Sequence, residues 1–417
     1  MKHYPTRFAV VDKDGNLKFP REIKEAFCLT PGVIVRVELG DNEVQIQRSR
    51  DHLARVYVEP TNRCNLECRT CIRNVWDEPL GMMDWEVYER ILNDIQAFIP
   101  MPTVFLGGFG EPFVHPHLIE MIKGVKDFGG SVEVITNGIL LTENISDQLI
   151  ETGLDVLWIS IDGVTPESYA DVRLGAKLPT VLYNLDTLLR RRDLAIKTKP
   201  QVGIAYVAMK RNIHELPELI RMGVVKGIEL FSISNVLAYT SELREEVMYE
   251  RTLIEGSYQS ASKAADISYP QMDISDQTLE AYRKALQGDY RFRMAGSEVD
   301  KSINKCPFLL KGSTSIRWDG ALSPCLPLLH THDSYLGKRL RRSQAYSIGN
   351  ILDRSLLELW NDPSYVALRQ RLEEFDFSPC TYCNSCEMAD ENLEDCFGND
   401  APACGGCLWA QGLIQCP

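Results

Sequence analysis

The sequence predicts an α/β protein whose centre is an open, parallel arrangement of six βα units. Between residues 53 and 233, short runs rich in β-branched residues alternate with amphipathic helical stretches. Strands that follow one another with helical crossovers form a parallel sheet. Six units are too few to close an eight-stranded barrel, so the sheet is expected to stay open. A β-rich segment precedes this core and a cysteine-rich region follows it. The predicted domains are residues 1–50, 51–295 and 296–417.

The first fifty residues are predicted to form two hairpins around a short helix. The first hairpin turns at Gly15, the helix spans 21–27, and the second hairpin joins the runs 33–39 and 44–46. This pattern resembles the AbrB/SpoVT-type swapped-hairpin domain, in which two chains interlace as a homodimer. Its net charge is only 9 − 7 = +2, which favours a dimerisation or docking module over DNA binding. Cys28 follows the helix and is predicted to be a buried core thiol.

The six strands of the core are predicted from apolar runs bounded by turn residues. They are assigned to 53–58, 103–107, 131–135, 156–162, 201–209 and 227–233. Helices are assigned to the stretches between them, for instance 84–98, 117–128 and 143–152. Residues 241–300 have weak periodicity and a polar composition, and we expect them to form a largely helical bridge to the C-terminal region.

Composition excludes several classes of protein. The formal charge is 45 − 58 = −13, which argues against broad attraction to nucleic acid or to an anionic membrane. The N-terminus carries charge too early for a signal peptide, and no apolar run approaches the roughly 20 residues of a membrane span. The protein is therefore expected to be cytoplasmic. In that compartment its 13 cysteines are expected to bind metal rather than form disulfides.

Three of these cysteines carry the strongest chemical signal. Cys64, Cys68 and Cys71 follow the first strand with the spacing Cys-x3-Cys-x2-Cys, at the strand end where α/β barrels place their active sites. Electron-transfer clusters normally take four Cys ligands, so three ligands leave one iron of a [4Fe–4S] cluster open to a small molecule. Structural zinc would need a fourth ligand. The motif therefore predicts a cluster that binds a ligand.

The surrounding sequence resembles the radical SAM enzymes, which bind S-adenosylmethionine (SAM) at such a cluster and have a partial (β/α)6 barrel. The second strand ends in Leu-Gly-Gly-Phe-Gly-Glu-Pro, which is similar to the Gly-Gly-Glu motif that holds the SAM amino group in that family. The resemblance implies cofactor-binding roles for Gly108, Gly110 and Glu111. Two residues depart from the family pattern, namely Phe109 in place of a glycine and Thr70 in place of an aromatic residue near the adenine.

The ends of the third and fourth strands carry further candidates. The third strand ends at Thr-Asn-Gly138 and the fourth at Ser160-Ile-Asp162-Gly. Such sequences form ordinary turns, so a purely structural role is the alternative. The radical SAM resemblance implies that the fourth-strand segment contacts SAM, and that Ser160 and Arg173 hold its carboxylate and ribose.

A second cysteine pattern lies in the C-terminal region. Cys306 is followed by thirteen residues, Gly320, four more residues and Cys325, and a Cys-x2-Cys-x2-Cys run comes later. This resembles the SPASM domain, which holds auxiliary [4Fe–4S] clusters, although Cys-x2-Cys pairs also permit a zinc ribbon. Two fully ligated clusters would use eight of the nine cysteines present. The resemblance implies metal-binding roles for Cys306, Cys325, Cys380, Cys383, Cys386, Cys396, Cys404, Cys407 and Cys416.

The resemblance also implies a reaction and a target. The reduced cluster would pass one electron into SAM, and the resulting 5′-deoxyadenosyl radical would abstract hydrogen from a substrate. The runs around Cys71 and Glu111 are most similar to maturases associated with tungsten-containing aldehyde oxidoreductases, which implies a tungstopterin cofactor or its enzyme as target. An electron donor such as ferredoxin or flavodoxin is implied as well. The alternative is a peptide or protein maturase of the sactipeptide or sulfatase type. A DNA-binding redox regulator is a different class, which would bind a promoter without turning over SAM.

Two basic runs complete the motifs. They are Arg190–Arg192 and Lys338–Arg342, and the default interpretation of both is a solvated helix face or loop. Because the second run lies within the cysteine-rich region, one hypothesis is that it meets an anionic substrate such as a phosphorylated pterin.

Overall fold

The computed structural model describes most of the chain. The described residues are 9–27, 29, 35–39, 44–48, 51–250, 266–270, 272, 275, 277–278, 281, 291–294, 305–378, 380–382 and 387–416. Three cysteines considered above, Cys28, Cys383 and Cys386, lie outside these residues.

The N-terminal segment contains two antiparallel hairpins with a helix between them. Its elements are β1 (Val10–Val11), β2 (Leu17–Lys18), α1 (Arg21–Phe27), β3 (Val35–Leu39) and β4 (Val44–Arg48). Strand β1 pairs with β2 and β3 pairs with β4. The first turn is closed by the Asp12 carboxylate, which accepts backbone hydrogen bonds from Asp14 and Asn16, and Gly15 adopts a φ of 83° there. The predicted hairpins and helix are confirmed, whereas the swapped dimer stays a prediction.

The central part of the chain alternates strands and helices as predicted. Its elements are β5 (Arg55–Val58), α2 (Trp85–Asp94), β6 (Thr103–Leu106), α3 (Leu118–Asp127), β7 (Val132–Thr136), α4 (Glu143–Thr152), β8 (Val156–Ser160), α5 (Pro166–Val172), α6 (Leu178–Leu194), β9 (Gln201–Ala208), α7 (Leu216–Val225), β10 (Leu230–Asn235) and α8 (Ser241–Glu245). Local signals fix the helix ends. The Thr142 hydroxyl, for example, accepts a hydrogen bond from the Ile145 amide, and Gly153 ends the same helix with a φ of 70°.

Two strands lie in the stretch for which a largely helical bridge is predicted. These are β11 (Asp266–Tyr269) and β12 (Arg291–Met294), and they extend the parallel sheet beyond β10. The helical prediction is therefore wrong for these described residues. Pairing with an existing sheet edge can stabilise a short strand whose own sequence pattern is weak, because strand propensity depends on tertiary context.

Three strands of the C-terminal region continue the same sheet, and two others form a separate antiparallel pair. Its elements are α9 (Pro307–Leu310), β13 (Ser313–Ile316), β14 (Ala321–Ser323), β15 (His332–Leu336), β16 (Arg339–Ser343), β17 (Gly349–Asn350), α10 (Leu356–Trp360) and α11 (Pro363–Glu374). Strand β13 runs parallel to β5, and β14 and β17 follow antiparallel. The eleven strands of this sheet have the order β12-β11-β10-β9-β8-β7-β6-β5-β13-β14-β17.

One apolar cluster joins the central and C-terminal regions. It extends from the strands and helices of the barrel to Trp360, Tyr365 and Leu368 on the last two helices. The Trp360 indole donates a hydrogen bond to the Asp51 carbonyl at 2.8 Å, just before β5. The partial α/β barrel is thus confirmed, and its C-terminal region packs directly on the first barrel strand. No helix in the described part of the chain is long and apolar enough to cross a membrane.

The inside of the barrel contains an ion pair among aromatic rings. Arg55 donates to both carboxylate oxygens of Glu133, at 3.1 and 2.9 Å, and the Trp158 indole donates to the same carboxylate at 3.0 Å. The Arg55 guanidinium also lies over the rings of Tyr57 and Phe105. Charges in such a low-dielectric place depend strongly on their partners.

Removal of this carboxylate should destabilise the fold. We expect Glu133→Ala to lower the free energy of unfolding by about 3 kcal/mol, because Arg55 would stay in the barrel without its carboxylate partner. The control is Asp186→Asn, which removes the acidic partner of Lys226 on the surface, where Asp186 is 53% exposed. That change should cost less than about 1 kcal/mol. Urea unfolding followed by tryptophan fluorescence measures both, and equal effects would contradict the prediction.

Candidate active site

A cavity of about 290 Å³ opens at the carboxyl ends of the barrel strands. Side chains from β5 through β10 and from the loops that follow them line it, as expected for an α/β barrel. Its lining includes the three-cysteine loop, the segment 108–111 after β6, Thr136 and Asn137 after β7, and Ser160 at the end of β8. Arg173 completes the set of predicted residues at the cavity. The fold therefore brings together eight of the nine residues predicted to bind the first cluster and SAM, and the ninth, Asp162, bonds to Arg173.

The three cysteines lie on a loop with its own internal bonds. The Cys71 amide donates to the Cys68 carbonyl at 3.0 Å, and the Asn74 side chain donates to the same carbonyl at 2.9 Å. A short 3-10 helix, Ile72–Asn74, follows directly. These contacts fix the backbone between the second and third cysteines.

Each of the three sulfur atoms has a hydrogen-bond donor beside it. The side-chain donors are Arg73 Nε at 3.3 Å from Cys71 Sγ, Arg173 Nη1 at 3.9 Å from Cys68 Sγ, and Asn137 Nδ2 at 3.9 Å from Cys64 Sγ. Two of the three donors are cations. Hydrogen bonds to sulfur and nearby positive charge are the means by which proteins stabilise anionic iron–sulfur clusters. The donor set therefore fits a thiolate-bound cluster.

Two of these thiols have pKa values shifted by their surroundings. Burial raises the pKa of the Cys64 and Cys68 thiols, and the positive charges of Arg73 and Arg173, respectively, oppose that rise. Metal ligands must be thiolates. Cluster assembly on this loop is therefore expected to release protons, and the two arginines lower the cost of the resulting negative charge.

The glycines after β6 are required by their contact with the segment that leads into the cysteine loop. A Cβ on Gly110 would lie 2.2 Å from the Thr61 carbonyl oxygen, and one on Gly108 would lie 2.7 Å from the Glu59 side chain. Neither distance is tolerable. The Gly-Phe-Gly sequence therefore lets β6 and the residues after β5 approach each other closely, and Phe109 is free to line the cavity.

Glu111 ties three strand ends together. Its amide donates to the Arg63 carbonyl at 2.8 Å, and its carboxylate accepts from Thr136 Oγ1 and the Asn137 amide, both at 2.8 Å. The Phe113 amide donates to the same carboxylate. Burial raises the pKa of Glu111, although these hydrogen bonds oppose the rise. The carboxylate therefore organises the loops around the cavity.

Asp162 and Arg173 form a buried pair behind the second cysteine. Arg173 Nε lies 2.6 Å from Asp162 Oδ2, and the other Asp162 oxygen accepts from the Val207 amide at 2.8 Å. Asp162 has no exposed side-chain surface. Its carboxylate holds the guanidinium beside Cys68, so Asp162 acts through Arg173, while Ser160 lines the cavity itself.

Several residues at the cavity are missed by the sequence analysis. Arg73 has no motif of its own, and Tyr239 and Gln415 reach the cavity from distant parts of the chain. The C-terminal segment is held against β10, because Asn235 donates to the Leu413 carbonyl at 2.8 Å. Asn137 belongs to the Thr-Asn-Gly turn, which is the one sequence signal available for it. Its contact with Cys64 is visible only in the structure.

A buried histidine lies behind Phe109. His330 has no exposed side-chain surface; its Nε2 lies 2.8 Å from Glu59 Oε2, and its Nδ1 contacts a carboxylate oxygen of Glu78. Burial alone would lower the pKa of His330, but the hydrogen bonds to Glu59 and Glu78 raise it to about 9. Arg317 is the other charged group beside Glu78. The imidazolium thus connects the C-terminal region to both sides of the cysteine loop.

Four C-terminal cysteines surround one second cavity. Cys306, Cys325, Cys404 and Cys407 line it together. Burial raises the pKa of all four thiols, and that of Cys306 rises to about 12. At Cys325 and Cys404 the neighbouring thiols raise the pKa further. Four Cys ligands are the set that a closed [4Fe–4S] cluster needs, so these residues fit one.

The remaining described cysteines of this region do not line that cavity. The Cys380 sulfur lies 3.1 Å from the Ser378 hydroxyl, and Cys396 is exposed. Cys416 interacts with Trp409 and with the Arg55 charge, and it packs against the cluster of Tyr57 and Phe105 inside the barrel.

The comparisons with known proteins agree with this geometry. A profile of the radical SAM superfamily matches residues 58–223, and a profile of the SPASM iron–sulfur cluster-binding domain matches residues 306–387. The chain is 31% identical over 366 residues to the tungsten-containing aldehyde ferredoxin oxidoreductase cofactor-modifying protein of Pyrococcus furiosus, which covers 87% of this chain and 96% of the relative.

Solved structures share the fold at low identity. Streptococcus suis SuiB bound to the precursor peptide SuiA aligns with a TM-score of 0.53 and 14% identity, over 76% of this chain and 67% of SuiB. The enzyme anSMEcpe with bound AdoMet and a peptide aligns with a TM-score of 0.52 and 15% identity, over 81% and 87% of the two chains.

The open parallel barrel and the three-cysteine loop at its strand ends define an enzyme that uses an iron–sulfur cluster to activate a bound ligand. The chain belongs to the radical SAM superfamily. Its cofactors are [4Fe–4S] clusters and SAM, and the SPASM match identifies its C-terminal region as an iron–sulfur rather than a zinc module.

The close contact at Gly110 gives a first prediction for this site. Gly110→Ala should displace the Thr61–Arg63 backbone, because the new Cβ would lie 2.2 Å from the Thr61 carbonyl oxygen, and the SAM-binding cluster should be lost. Gly227→Ala is the control, because a Cβ there meets nothing within 4 Å and only the φ of 76° is unfavourable. Iron analysis and electron paramagnetic resonance (EPR) measure cluster content. Full occupancy in Gly110→Ala would refute the prediction.

The His330 cluster predicts a pH-dependent stability. The folded pKa of about 9 exceeds the unfolded value of about 6.5, so the stabilisation is complete below about pH 6.5 and is lost as the pH rises through about 9. A shift of this size corresponds to about 3 kcal/mol. The difference in Tm between wild type and His330→Gln should therefore narrow from pH 6 to pH 9.5. His214→Gln, at a 70% exposed side chain, should show no such trend. If the difference in Tm between wild type and His330→Gln stays constant over this pH range, His330 is not stabilised in its protonated form.

Proposed function

We propose that this radical SAM enzyme is a maturase that modifies a tungstopterin cofactor or the tungsten-dependent oxidoreductase that carries it. The observation that carries the proposal is the 31% identity to a tungsten oxidoreductase cofactor-modifying protein, which extends over 96% of that relative. Because the alignment covers 87% of this chain, it extends well beyond residues 58–223, the part that matches the radical SAM superfamily.

The residue assignments at the cavity are part of the proposal. Cys64, Cys68 and Cys71 would hold the first cluster through three thiolates, with one iron left for SAM. When bound, that cluster supplies the electron that cleaves SAM to the 5′-deoxyadenosyl radical. The donors beside the three sulfurs support this role.

SAM itself would lie against the backbone of the segment after β6 and the end of β8. Gly108 and Gly110 would present main-chain groups to its amino group, and Ser160 and Arg173 would meet its carboxylate and ribose. Glu111 and Asp162 would position these groups, since the carboxylate of each is engaged in hydrogen bonds to the protein.

The auxiliary cysteines would divide into two sets. Cys306, Cys325, Cys404 and Cys407 would hold one cluster, as their shared cavity supports. The second set would draw on Cys380, Cys383, Cys386, Cys396 and Cys416. These clusters would relay electrons or bind the substrate.

The proposed setting follows from the same argument. The partner would be a tungsten-dependent aldehyde oxidoreductase, and a ferredoxin or flavodoxin would donate electrons in the cytoplasm. Residues 1–50 would serve dimerisation or docking rather than DNA binding, and the three-domain division at 50 and 295 stands as a proposal. A peptide or protein maturase is the alternative, and the fold shared with peptide-bound SuiB does not favour it, because a likeness at 14% identity concerns the fold alone.

Anaerobic co-expression with a tungsten-dependent aldehyde oxidoreductase tests the function. We expect oxidoreductase activity to appear with the wild-type maturase and to fall at least about tenfold with Cys64→Ala, which also should abolish release of 5′-deoxyadenosine from SAM. Cys28→Ala, which removes a cysteine outside both motifs, is the matched control and should retain both activities. Oxidoreductase activity that is indifferent to Cys64→Ala, while SAM cleavage is lost, would refute the tungsten target and leave the chemistry in place.

A further inference from the structure

One arginine of the second basic run is buried among the C-terminal cysteines. Arg341 lies in β16, opposite Ser334 of β15, and only 6% of its surface is exposed. It lines a cavity together with Cys325, Cys404 and Cys407. The expectation that the whole run is solvated is therefore wrong at this position. Successive side chains of a strand point to opposite faces, so β16, which pairs with β15, can direct Arg341 to the interior and its neighbours to the surface.

The neighbouring arginines of the strand have ordinary partners. Arg339 pairs with Asp390 at 2.6 Å and Arg342 pairs with Asp333 at 3.1 Å, where Arg342 is 51% exposed. Arg341 differs from both. Among the residues that the structure describes, no carboxylate lies within 4 Å of its guanidinium, and its hydrogen bonds go to the carbonyls of Glu391 and Ala403 at 3.3 and 3.4 Å.

The charge of Arg341 is thus poorly compensated by the protein. Its Nε is buried without a hydrogen-bond partner in the described part of the chain. Burial lowers the pKa of Arg341, whereas the thiols of Cys407, Cys380 and Cys404 oppose that effect. A buried cation without an anion is strongly unfavourable. The groups around Arg341 that can become anionic are the thiols of Cys407, Cys380 and Cys404 and the more distant carboxylate of Asp390, which pairs with Arg339.

The backbone between two of the thiols is shaped to admit the guanidinium. A Cβ on Gly406, in the Cys404-Gly-Gly-Cys407 sequence, would lie 1.7 Å from Arg341 Nη1. The guanidinium therefore packs against the backbone that connects two of the four cysteines lining the second cavity. Any side chain at position 406 would push it away.

We propose that Arg341 is the counter-cation of the iron–sulfur cluster held by Cys306, Cys325, Cys404 and Cys407, and that it raises the reduction potential of that cluster. Four thiolates outweigh the positive charge of the iron–sulfur core, and reduction adds one more electron. A fixed positive charge nearby stabilises the reduced state more than the oxidised state. Arg341 is a positioning and charge-compensating residue, since no reacting atom of SAM lies at this second cavity.

This inference rests on the proposed cluster assignment but not on the tungsten target. It is tested on the purified, anaerobically reconstituted full-length protein without any partner. A failure here would therefore leave the proposed maturase reaction untouched, and the absence of a tungsten target would leave this inference untouched.

The experiment is a redox titration followed by EPR in a Cys64→Ala/Cys68→Ala/Cys71→Ala background, where the remaining signals belong to the C-terminal clusters. Loss of one signal in Cys404→Ala identifies the cluster of interest. Arg341→Met removes the charge, Arg341→Lys keeps it, and Arg342→Met makes the same change at the exposed neighbour. We expect Arg341→Met to lower the equilibrium constant for one-electron reduction of that cluster at least about tenfold, which is about 59 mV. Arg341→Lys and Arg342→Met should stay within about threefold of wild type.

The outcomes separate a charge role from a packing role. A wild-type potential in Arg341→Met with full iron content would overturn the proposal. If Arg341→Met cannot retain the cluster, Arg341→Lys decides: iron retained with Lys supports the role of charge, and iron lost with Lys as well overturns it. An equal shift in Arg342→Met would also overturn the proposal, because general surface electrostatics would then explain the effect.

Discussion

The buried carboxylate of Glu111 is the constraint on which the active-site geometry depends. Hydrogen bonds from three different strand ends converge on this residue, and its backbone amide holds the residue just before Cys64. Because Gly110 permits the close approach of the two loops, the cysteine loop cannot shift without breaking several of these bonds at once. A loop with three of the four usual cluster ligands gains from such restraint, since no fourth cysteine would help to hold the cluster in place.

Positively charged side chains lie beside both groups of cysteines. Beside the first site, Arg73 and Arg173 approach two of the sulfurs, and Asp162 fixes one of these arginines. Beside the second, Arg341 lines a cavity together with Cys325, Cys404 and Cys407. Thiolates are costly to form in a buried place, and cations supplied from distant strands lower that cost. The same arrangement would therefore lower the cost of assembling each proposed cluster and influence its reduction potential.

The sequence predicts the main features of the fold well, and the details of the site less well. The six barrel strands, the helix at 143–152 and the cysteine loop are specified by local patterns, and the structure confirms them. Strands β11 and β12 are missed because β11 pairs with β10 and β12 pairs with β11, and this extension of the sheet edge is a tertiary effect. Arg73, Gln415 and Arg341 have no local signal, since only the folded chain brings them to the sulfurs or the cavity. Glu111 is found from its motif, but the number of bonds it makes within the protein emerges from the structure.

The pairing of β13 with β5 has a consequence for how such enzymes diversify. Strand β5 leads into the cysteine loop, and its outer edge is occupied by a strand from the far end of the chain. Without that strand, β5 would present unpaired backbone groups, which invite association with other chains. The C-terminal region therefore also supports the first barrel strand, and its removal would leave the edge of β5 unpaired. Changes in the C-terminal region would therefore have to preserve the pairing of β13 with β5, because the strand that leads into the cysteine loop depends on it.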